Sequence, residues 1–233
     1  ESVFVGIGMP NLACNLAKKT HAKNLKLIYE AGAIGANPSR LPISIGDPCL
    51  VTGSQAICSI FEVFTFYLQG GLLDLGFLEG AQVDRFGNIN STVIGGYESP
   101  KVRLPGSGGA CEIALLAKRI FILSSHEKKR LPERIDFITS PGYLKGRRER
   151  NSLGLIGKGP ELVITDLGVM KFDKEGEMYL STIHPRVSLK DVKEKTGWDL
   201  KVSSNLSETP QPTEEELRIL REELDPKGIY LNK

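Results

Sequence analysis

Metal-ligating and redox-active residues are scarce in this sequence. Its 233 residues include three histidines and four cysteines. The cysteines form no CxxC pair, which argues against a zinc ribbon or a disulfide scaffold, and the histidines show no HxH or HxxxH spacing. We therefore expect no metal site, and free thiols such as those of a protein in the reducing cytoplasm.

A strong charge bias is also missing. The sequence has 30 Lys and Arg against 28 Asp and Glu, a formal net charge of +2. This balance creates no broad field that attracts nucleic acid or anionic lipid. The most apolar long stretch, residues 49–71, contains Glu62 and two glutamines and falls short of a membrane span. No basic region precedes the opening Val3-Phe4-Val5, so we expect no secretory signal, no membrane partner and no nucleic-acid partner.

The order of the apolar segments predicts an α/β fold with a mostly parallel open sheet, flanking helices and short antiparallel hairpins. Early strands alternate with helices, which favours parallel pairing. Three later β segments separated by Gly-containing turns favour hairpins. A single domain is expected over residues 1–233. The predicted strands are residues 2–7, 25–29, 72–78, 120–123, 162–166, 169–172 and 178–182, and the predicted helices are 11–19, 55–68, 112–118 and 213–223.

Local signals refine three of these helices. Asn11 is the predicted N-cap of the first. The weakly polar helix over residues 55–68 is predicted to be buried. Thr213 and Glu216 form a capping box that begins the last helix, directly after a Pro-rich connector.

Glu30 is the most informative single residue. It is predicted at the C-terminal end of a parallel strand, the edge where open α/β sheets hold their ligands. Small residues at positions 31, 32, 33 and 35 leave room for a bulky substrate. An ionised carboxylate attacks an activated acyl carbon without a separate base. Position alone also fits a charged residue that closes a strand into a turn, and on that ground alone the turn interpretation is favoured.

A glycine-rich segment, Gly106-Ser107-Gly108-Gly109-Ala110, precedes a predicted helix. Its backbone N–H groups can be directed at an oxyanion or a phosphate, because glycine lets a bound group approach the main chain closely. Such turns are common in α/β folds, so the segment equally fits a structural turn. It lacks the Lys-Ser/Thr ending of a P-loop.

Three further patterns have weaker signals. The opening Gly6-Ile7-Gly8 is similar to part of a dinucleotide fingerprint, but Asn11 stands in place of its third glycine, which argues against NAD binding. His126, followed by Glu127 and three basic residues, is interpreted as a polar surface corner rather than an acid–base catalyst. The remaining pattern is a basic cluster that fits a solvated loop or a contact between subunits better than a site for cofactor phosphates. Its members are Lys145, Arg147, Arg148 and Arg150.

Six segments form an ordered set along the chain. They are residues 27–32, 44–47, 80–92, 106–110, 126–130 and 139–142. Together they resemble the family I CoA-transferases, of the type of the B (beta) subunit of glutaconate CoA-transferase, over almost the entire chain. The resemblance implies the CoA-transferase (NagB/RpiA-like) fold, and about one N-terminal helix of the family is expected to be missing from this chain. Relatives have a serine beside the nucleophile, whereas this chain has Glu30-Ala31-Gly32.

The resemblance also implies a mechanism. Glu30 would attack an acyl-CoA to give a mixed anhydride and then a glutamyl-CoA thioester, and an acceptor carboxylate would reverse the sequence. Gly108 would donate its N–H to the oxyanion, with Gly106, Gly109 and Ala110 as further contacts of CoA. CoA is thus a cosubstrate, no tightly bound cofactor is expected, and a glutaconate-type acyl group is favoured. The family's Gly-Gly-Phe motif is absent here, so the expected partner is a homologous alpha subunit that carries this motif, within a hetero-oligomer.

Two alternatives stay open. A diverged acyl-CoA hydrolase or decarboxylase would share the fold but lose or reassign the covalent glutamate, and the presence of Glu30 counts against it. A non-enzymatic metabolite-binding module is the other alternative, because related sheets also serve as sensors. No helix-turn-helix or basic arm for DNA binding is visible in the sequence.

Overall fold

The computed structural model describes residues 1–38 and 40–231. The chain separates into two compact units. The first comprises Glu1–Phe77 together with the segment that begins at Gln211, and the second comprises Leu78–Pro210.

Parallel strands form the centre of the sheet in the first unit. Its strands are β1 (Ser2–Val5), β2 (Lys26–Tyr29), β3 (Ala33–Ile34), β4 (Ala56–Ile57) and β5 (Leu75–Glu79). Strand β1 pairs in parallel with both β2 and β5. Strand β3 turns back to pair antiparallel with β2, and β4 pairs antiparallel with β3. The side chains of Leu27, Ile28 and Tyr29 are all buried, as in a strand covered on both faces.

The first helix begins earlier than the sequence predicted. Helix α1 (Met9–Lys19) starts directly after Gly8, which has a φ of 100° and provides no side-chain cap. Pro10 fits the first helical turn, because the N–H that proline lacks has no intrahelical partner there. Asn11 therefore lies inside the helix and is fully buried, so its prediction as the N-cap was wrong.

The second helix is shorter and more exposed than predicted. A 3₁₀ turn (Pro48–Val51) and β4 occupy the residues before it, so α2 (Ile60–Glu62) begins at a capping box formed by Ser59 and Glu62. It continues as a π-helical segment, Val63–Gln69, in which Val63 and Leu68 are buried. Its outer side chains are not buried, so the prediction of a buried helix was wrong. Ile57 of β4 and Ile60, Phe61 and Phe66 of this helix are 52–67% exposed.

The second unit begins with two hairpins and continues into a five-stranded arrangement. The hairpins are β6 (Gln82–Val83) with β7 (Ile89–Asn90), and β8 (Val93–Gly95) with β9 (Pro100–Arg103). Next come α3 (Ala110–Leu116), β10 (Arg119–Leu123), α4 (Arg147–Ser152), β11 (Pro160–Ile164), β12 (Gly168–Phe172), β13 (Met178–Ile183), α5 (Leu189–Glu194) and β14 (Lys201–Glu208).

Strand pairing in the second unit confirms the predicted hairpins. The spatial order is β14-β13-β12-β11-β10. Strands β11, β12 and β13 pair antiparallel in succession, whereas β10 with β11 and β13 with β14 are parallel pairs.

The C-terminal segment returns to the first unit. Helix α6 (Glu214–Arg218) begins with the predicted capping box, in which Thr213 and Glu216 bond each other's backbone N–H groups. It continues as a π-helical segment, Ile219–Leu224. The apolar side chains of Ile219 and Leu224 pack with Leu12 of α1 and Leu41, which holds this segment in place.

Candidate active site

Glu30 lies in the tight turn that joins β2 to β3. The N–H of Gly32 donates to the carbonyl of Tyr29 at 2.9 Å, so Glu30 occupies the second position of the turn. The side chain of Glu30 is partly buried, and it accepts no hydrogen bond and forms no ion pair within the part of the chain that the structure describes. Its position directly after a parallel strand was predicted, and the structure confirms that position.

Close packing fixes the glycine that follows Glu30 in this turn. Gly32 has a φ of 107°, and a Cβ on it would lie 1.8 Å from the carbonyl oxygen of Cys58. The N–H of Cys58 in turn donates to the carbonyl of Gly32 at 3.0 Å. A side chain at position 32 would force β4 away from the turn, so the Glu-x-Gly pattern has a steric cause.

The space beside the turn is open on the side of β1. Val5 pairs with Tyr29, so Gly6 follows at the same edge of the sheet as Glu30. Added Cβ atoms at Gly6 and Gly8 would meet nothing within 4 Å. A carboxylate without a protein partner thus stands beside glycines that leave room for a substrate.

A buried polar network anchors the end of β2 below Glu30. Tyr29 donates its hydroxyl hydrogen to Oδ1 of Asn11, and the same oxygen accepts from Nδ2 of Asn15 at 2.8 Å. Burial raises the pKa of Tyr29 to about 12, so the phenol stays neutral. Asn11, which sequence reasoning placed at a helix end, instead fixes the strand that carries Glu30.

The glycine-rich segment of the second unit forms a turn whose first residue, Gly106, is hydrogen-bonded to Ser91. The N–H of Gly106 donates to the carbonyl of Ser91 at 2.8 Å, and Oγ of Ser91 donates to the carbonyl of Gly106 at 2.8 Å. Gly106 and Gly108 have φ values of 95° and 50°, a region that favours glycine. Oγ of Ser107 accepts from the N–H of Cys111 at 3.1 Å and so joins the turn to α3.

Two backbone donors of this turn are free. The N–H groups of Gly108 and Gly109 have no acceptor among the residues described, and an added Cβ at Gly106 or Gly108 would meet nothing within 4 Å. Fixed N–H groups beside open space are the arrangement that binds an oxyanion or a phosphate oxygen. Glu30 and this turn lie in different units.

A second network supports the glycine turn, and the sequence alone did not reveal it. Oδ1 of Asp84 accepts from the N–H groups of Phe86 and Asn88, and Oδ1 of Asn88 accepts from the N–H of Gly142. Burial raises the pKa of Asp84 to about 6. The segment around Gly142 also supplies Thr139, whose Oγ1 accepts from the N–H of Ser91 at 2.9 Å. The sequence signal that could have revealed this network is the Asp-x-x-x-Asn spacing within residues 80–92.

Similarity to known proteins assigns the family. The family model for coenzyme A transferases matches residues 1–195 of this chain. The chain belongs to the coenzyme A transferase family. This transferase chain is 48% identical over 219 residues to the B subunit of 3-oxoadipate CoA-transferase from Pseudomonas knackmussii, with 94% of the chain and 84% of the relative covered.

A second relative and a solved structure agree with the family. The B subunit of glutaconate CoA-transferase from Acidaminococcus fermentans is 41% identical over 238 residues, with 99% of the transferase chain and 88% of the relative covered. The crystal structure of glutaconate coenzyme A-transferase from that organism superposes with a TM-score of 0.93 at 37% identity, covering 100% of this chain and 91% of the other. The predicted fold class and the transferase class are confirmed. Both relatives are B subunits of CoA-transferases.

His126 of the transferase chain is not the surface corner that the sequence predicted. Its ring is 1% exposed and bonded at both nitrogens, to the hydroxyls of Thr165 and Thr196, each at 2.9 Å. Its backbone N–H donates to Asp166. The prediction was wrong because the basic residues that follow His126 turn outward while the imidazole joins β11 to the end of α5.

Burial of His126 predicts a pH-dependent stability. Desolvation lowers its pKa, and the nearby Asp166 opposes that shift. A lowered folded-state pKa makes the unfolded chain bind more protons, so this contribution is complete above the unfolded pKa of about 6.5 and is lost as pH falls below it. We expect the free energy of unfolding of the wild type to fall, relative to His126→Gln, by up to about 1 kcal/mol per pH unit below pH ~6.5.

Urea unfolding of both chains between pH 7.5 and 5 measures this effect. The comparison with His126→Gln is needed because Asp84, whose pKa burial raises, titrates in the same range with the opposite sign. Parallel pH curves for the two chains would show that His126 does not titrate in the folded state as described.

The basic cluster of the transferase chain is divided by the structure. Arg150 is 2% exposed and donates to four backbone carbonyls. These acceptors belong to Gly157, Pro141, Gly142 and Ala114. Arg147 lies over the ring of Tyr143, with its guanidinium carbon 4.3 Å from the ring centroid. The prediction of a solvated loop is therefore wrong for Arg150, which fastens the segment before α4 to α3.

Loss of Arg150 is expected to destabilise the transferase chain strongly. Arg150→Ala would leave buried carbonyls without donors, so we expect the free energy of unfolding to fall by about 3 kcal/mol or more. Arg148→Ala, at an exposed position of the same helix, is the matched control and is expected to change it by less than ~0.5 kcal/mol. Chemical denaturation measures both, and equal effects would contradict the structural role of Arg150.

The described residues contain neither a membrane-spanning helix nor a metal cluster. No helix within residues 1–38 and 40–231 combines the length and hydropathy that a bilayer crossing requires. In the same residues, no group of three or more His, Cys, Asp or Glu side chains is placed to hold a metal ion. All four cysteines are free thiols.

Proposed function

We propose that this chain is the B subunit of a two-subunit enzyme that moves CoA between an acyl-CoA and a carboxylic acid through a thioester on Glu30. The observation that carries the proposal is the carboxylate of Glu30, which stands at the end of β2 without a protein partner and beside open space. A carboxylate engaged in a capping bond or an ion pair would not be free to attack. The unbonded N–H groups of Gly108 and Gly109 add support from the second unit.

The reaction proceeds through two exchanges at Glu30. A carboxylate oxygen of Glu30 attacks the acyl carbon of the donor, the C–S bond breaks, and a mixed anhydride and CoA thiolate result. The thiolate then attacks the Glu30 carbonyl carbon of the anhydride, releases the donor as a free carboxylate and leaves a glutamyl-CoA thioester. The acceptor carboxylate reverses both steps. Each step conserves an activated acyl bond, so the site must exclude water.

The glycine turn is proposed to stabilise the negative charge that develops during these attacks. Each addition at a carbonyl carbon places negative charge on its oxygen, and N–H donors fixed before the reaction stabilise that charge without reorganisation. We assign the N–H of Gly108 to this oxyanion. Gly106, Gly109 and Ala110 would contact CoA beside it. No tightly bound cofactor takes part in these steps.

The acyl group is proposed to be a dicarboxylate. Glutaconate and 3-oxoadipate, named in the two relatives, share a second carboxylate at the far end of the acyl chain. A site built to bind that charge discriminates strongly against an analogue that lacks it, because its buried polar groups then stay unpaired. The glutaconate-type acyl group expected from the sequence is therefore extended to dicarboxylic acyl groups in general.

The proposal is tested by an exchange assay on the two-subunit complex. The complex is isolated from the source cells by purifying this chain together with its partner. Glutaconyl-CoA and 3-oxoadipyl-CoA are offered as donors with acetate as acceptor, and crotonyl-CoA is the control without the distal carboxylate. We expect kcat/KM for at least one dicarboxylic donor to exceed that for crotonyl-CoA by about 100-fold. Free acid without acyl transfer would favour a hydrolase, and release of CO2 would favour a decarboxylase.

An exposed apolar surface is proposed to bind the alpha subunit. The α2 surface consists of Ile57, Ile60, Phe61 and Phe66, all more than half exposed in this chain. Clusters of exposed apolar side chains mark protein interfaces. The surface continues directly into the Glu30 turn, because Cys58, next to Ile57, is hydrogen-bonded to Gly32. A homologous alpha subunit with a Gly-Gly-Phe motif, bound here, would help to exclude water from Glu30.

Charged substitutions on the α2 surface are expected to break the complex. Phe61→Asp with Phe66→Asp should raise the Kd of the two-subunit complex by about 100-fold or more, the effect of removing two aromatic contacts from an interface centre. Ile156→Asp, at a 77% exposed apolar position of the second unit, is the control and should leave the Kd within ~2-fold. Size-exclusion chromatography and titration measure both, and an unchanged Kd for the double variant would place the partner elsewhere.

A further inference from the structure

A cavity in the second unit has a composition that the transfer reaction does not explain. It has a volume of about 340 Å³ and lies where β10 and β11 begin, β12 ends and β13 begins. Four cationic side chains line it, and Glu161 is the one carboxylate among its described lining residues. The cations are Arg119, Arg147, Lys158 and Lys171.

The positive charge of this cavity is largely unneutralised. Lys158 and Lys171 form no ion pair in the part of the chain that the structure describes, and both are exposed. Arg147 is fixed in place, because it lies over Tyr143 and donates to its hydroxyl at 3.1 Å. Glu161 is 3.5 Å from Arg119 and offsets one charge. Like charges held around one cavity repel each other. A ligand with two or more negative charges relieves this repulsion and is therefore expected to bind there most favourably.

Aromatic rings form the other part of the lining. Tyr143 is buried and lies 5.2 Å from the ring of Phe172, whereas Phe172 and Tyr179 are partly exposed to the cavity. Tyr179 is the cross-strand neighbour of Lys171, which places a ring and a cation side by side on one face. A planar heterocycle stacks on such rings while phosphate oxygens contact the cations.

The cavity is separate from the glycine turn. Helix α3 begins at Ala110 and ends at Leu116, and β10 starts at Arg119 after two residues. The glycine turn thus meets the N-terminal end of α3, and Arg119 lies beyond its C-terminal end. Seven helical residues span about 10 Å. None of the lining residues described for the cavity belongs to the glycine turn.

We propose that this cavity binds a phosphorylated nucleoside, with the base on Tyr179 and the phosphates on Lys158, Lys171 and Arg119. Two sources offer this chemistry, a free nucleotide and the adenosine diphosphate end of CoA. The site is inferred from the cavity itself and does not rest on the proposed transfer reaction.

Calorimetric titration of the full chain, without turnover, tests the site. ADP, adenosine and inorganic tripolyphosphate are compared as ligands at low salt. We expect ADP to bind, adenosine to bind at least ~10-fold more weakly because it lacks charge, and Lys171→Glu to weaken ADP binding by about 10-fold or more. Lys174→Glu, an equally exposed position three residues along, is the matched control and should change the Kd by less than ~2-fold.

Lys158→Glu gives an independent result if Lys171→Glu does not fold. Absence of ADP binding, equal weakening by the substitutions at positions 171 and 174, or tripolyphosphate binding as tight as that of ADP with no ring contribution would each overturn the proposal. Competition by CoA at the cavity together with a raised KM for acyl-CoA in Lys171→Glu would identify the cosubstrate as the source. ADP binding with an unchanged KM would identify a free nucleotide.

Discussion

Glu30→Gln is expected to abolish CoA exchange, with kcat/KM reduced by about 10⁴-fold or more, the scale of removing a covalent nucleophile. The amide keeps the size of the side chain but cannot form the anhydride at a useful rate. Because Glu30 has no hydrogen-bond or ion-pair partner among the described residues, the substitution should leave the free energy of unfolding within ~0.5 kcal/mol of the wild type. Steady-state exchange and urea unfolding of the same preparation separate the two effects.

Glu98→Gln is the matched control for this substitution. Glu98 is exposed and lies in the turn before β9, so loss of its charge should leave exchange within ~2-fold of the wild type. A Glu30→Gln enzyme that still exchanges CoA at a tenth of the normal rate would exclude covalent catalysis by Glu30. It would instead favour direct transfer or a hydrolytic reaction on the same fold.

Gly108→Ala is expected to reduce kcat by about 10²- to 10³-fold, the scale of losing one oxyanion donor, because the added methyl group would keep the oxyanion away from the N–H that alanine retains. A Cβ at this position meets no protein atom within 4 Å, so the methyl group would enter the space reserved for the substrate. The φ of 50° adds a backbone cost of about 1 kcal/mol to the alanine variant. We therefore expect kcat to fall by about 10²- to 10³-fold while the free energy of unfolding falls by only about 1 kcal/mol.

Gly154→Ala is a close control for the glycine turn. Gly154 has a φ of 65°, and its added Cβ also meets nothing within 4 Å. Both variants should lose about 1 kcal/mol of stability for the same conformational reason. We expect the Gly154 variant to keep its activity. Equal kinetic losses in the two variants would show that the effect comes from the backbone strain and not from the N–H of Gly108.

Seven strands were predictable from the sequence, but the spatial order of the strands and the strands β3, β4 and β14 were not predicted. The apolar run before Glu30 and the Gly-rich break after it fix the end of β2, because both are local patterns. The hairpins β11-β12-β13 and the capping box at Thr213 were predicted for the same reason. The sequence order of the six segments indicated the family that the relatives confirm.

Tertiary contacts decided the parts that the sequence could not supply. Asn11 has the chemistry of a helix cap, yet Tyr29 holds it inside α1. His126 precedes a run of charged residues, yet two threonines far along the chain enclose its ring. Arg150 belongs to a basic cluster in sequence, but it is buried and donates to the carbonyl of Ala114, 36 residues away. In each case a partner distant in sequence outweighed the local pattern.

The covalent intermediate on Glu30 is tested most directly by mass spectrometry of the tryptic peptide 27–40 after incubation of the assembled complex with an acyl-CoA. We predict CoA joined to Glu30 as a thioester, which borohydride converts to the alcohol with loss of activity. An unmodified Glu30 in an enzyme that turns over, or CoA attached at another residue, would contradict the proposed mechanism.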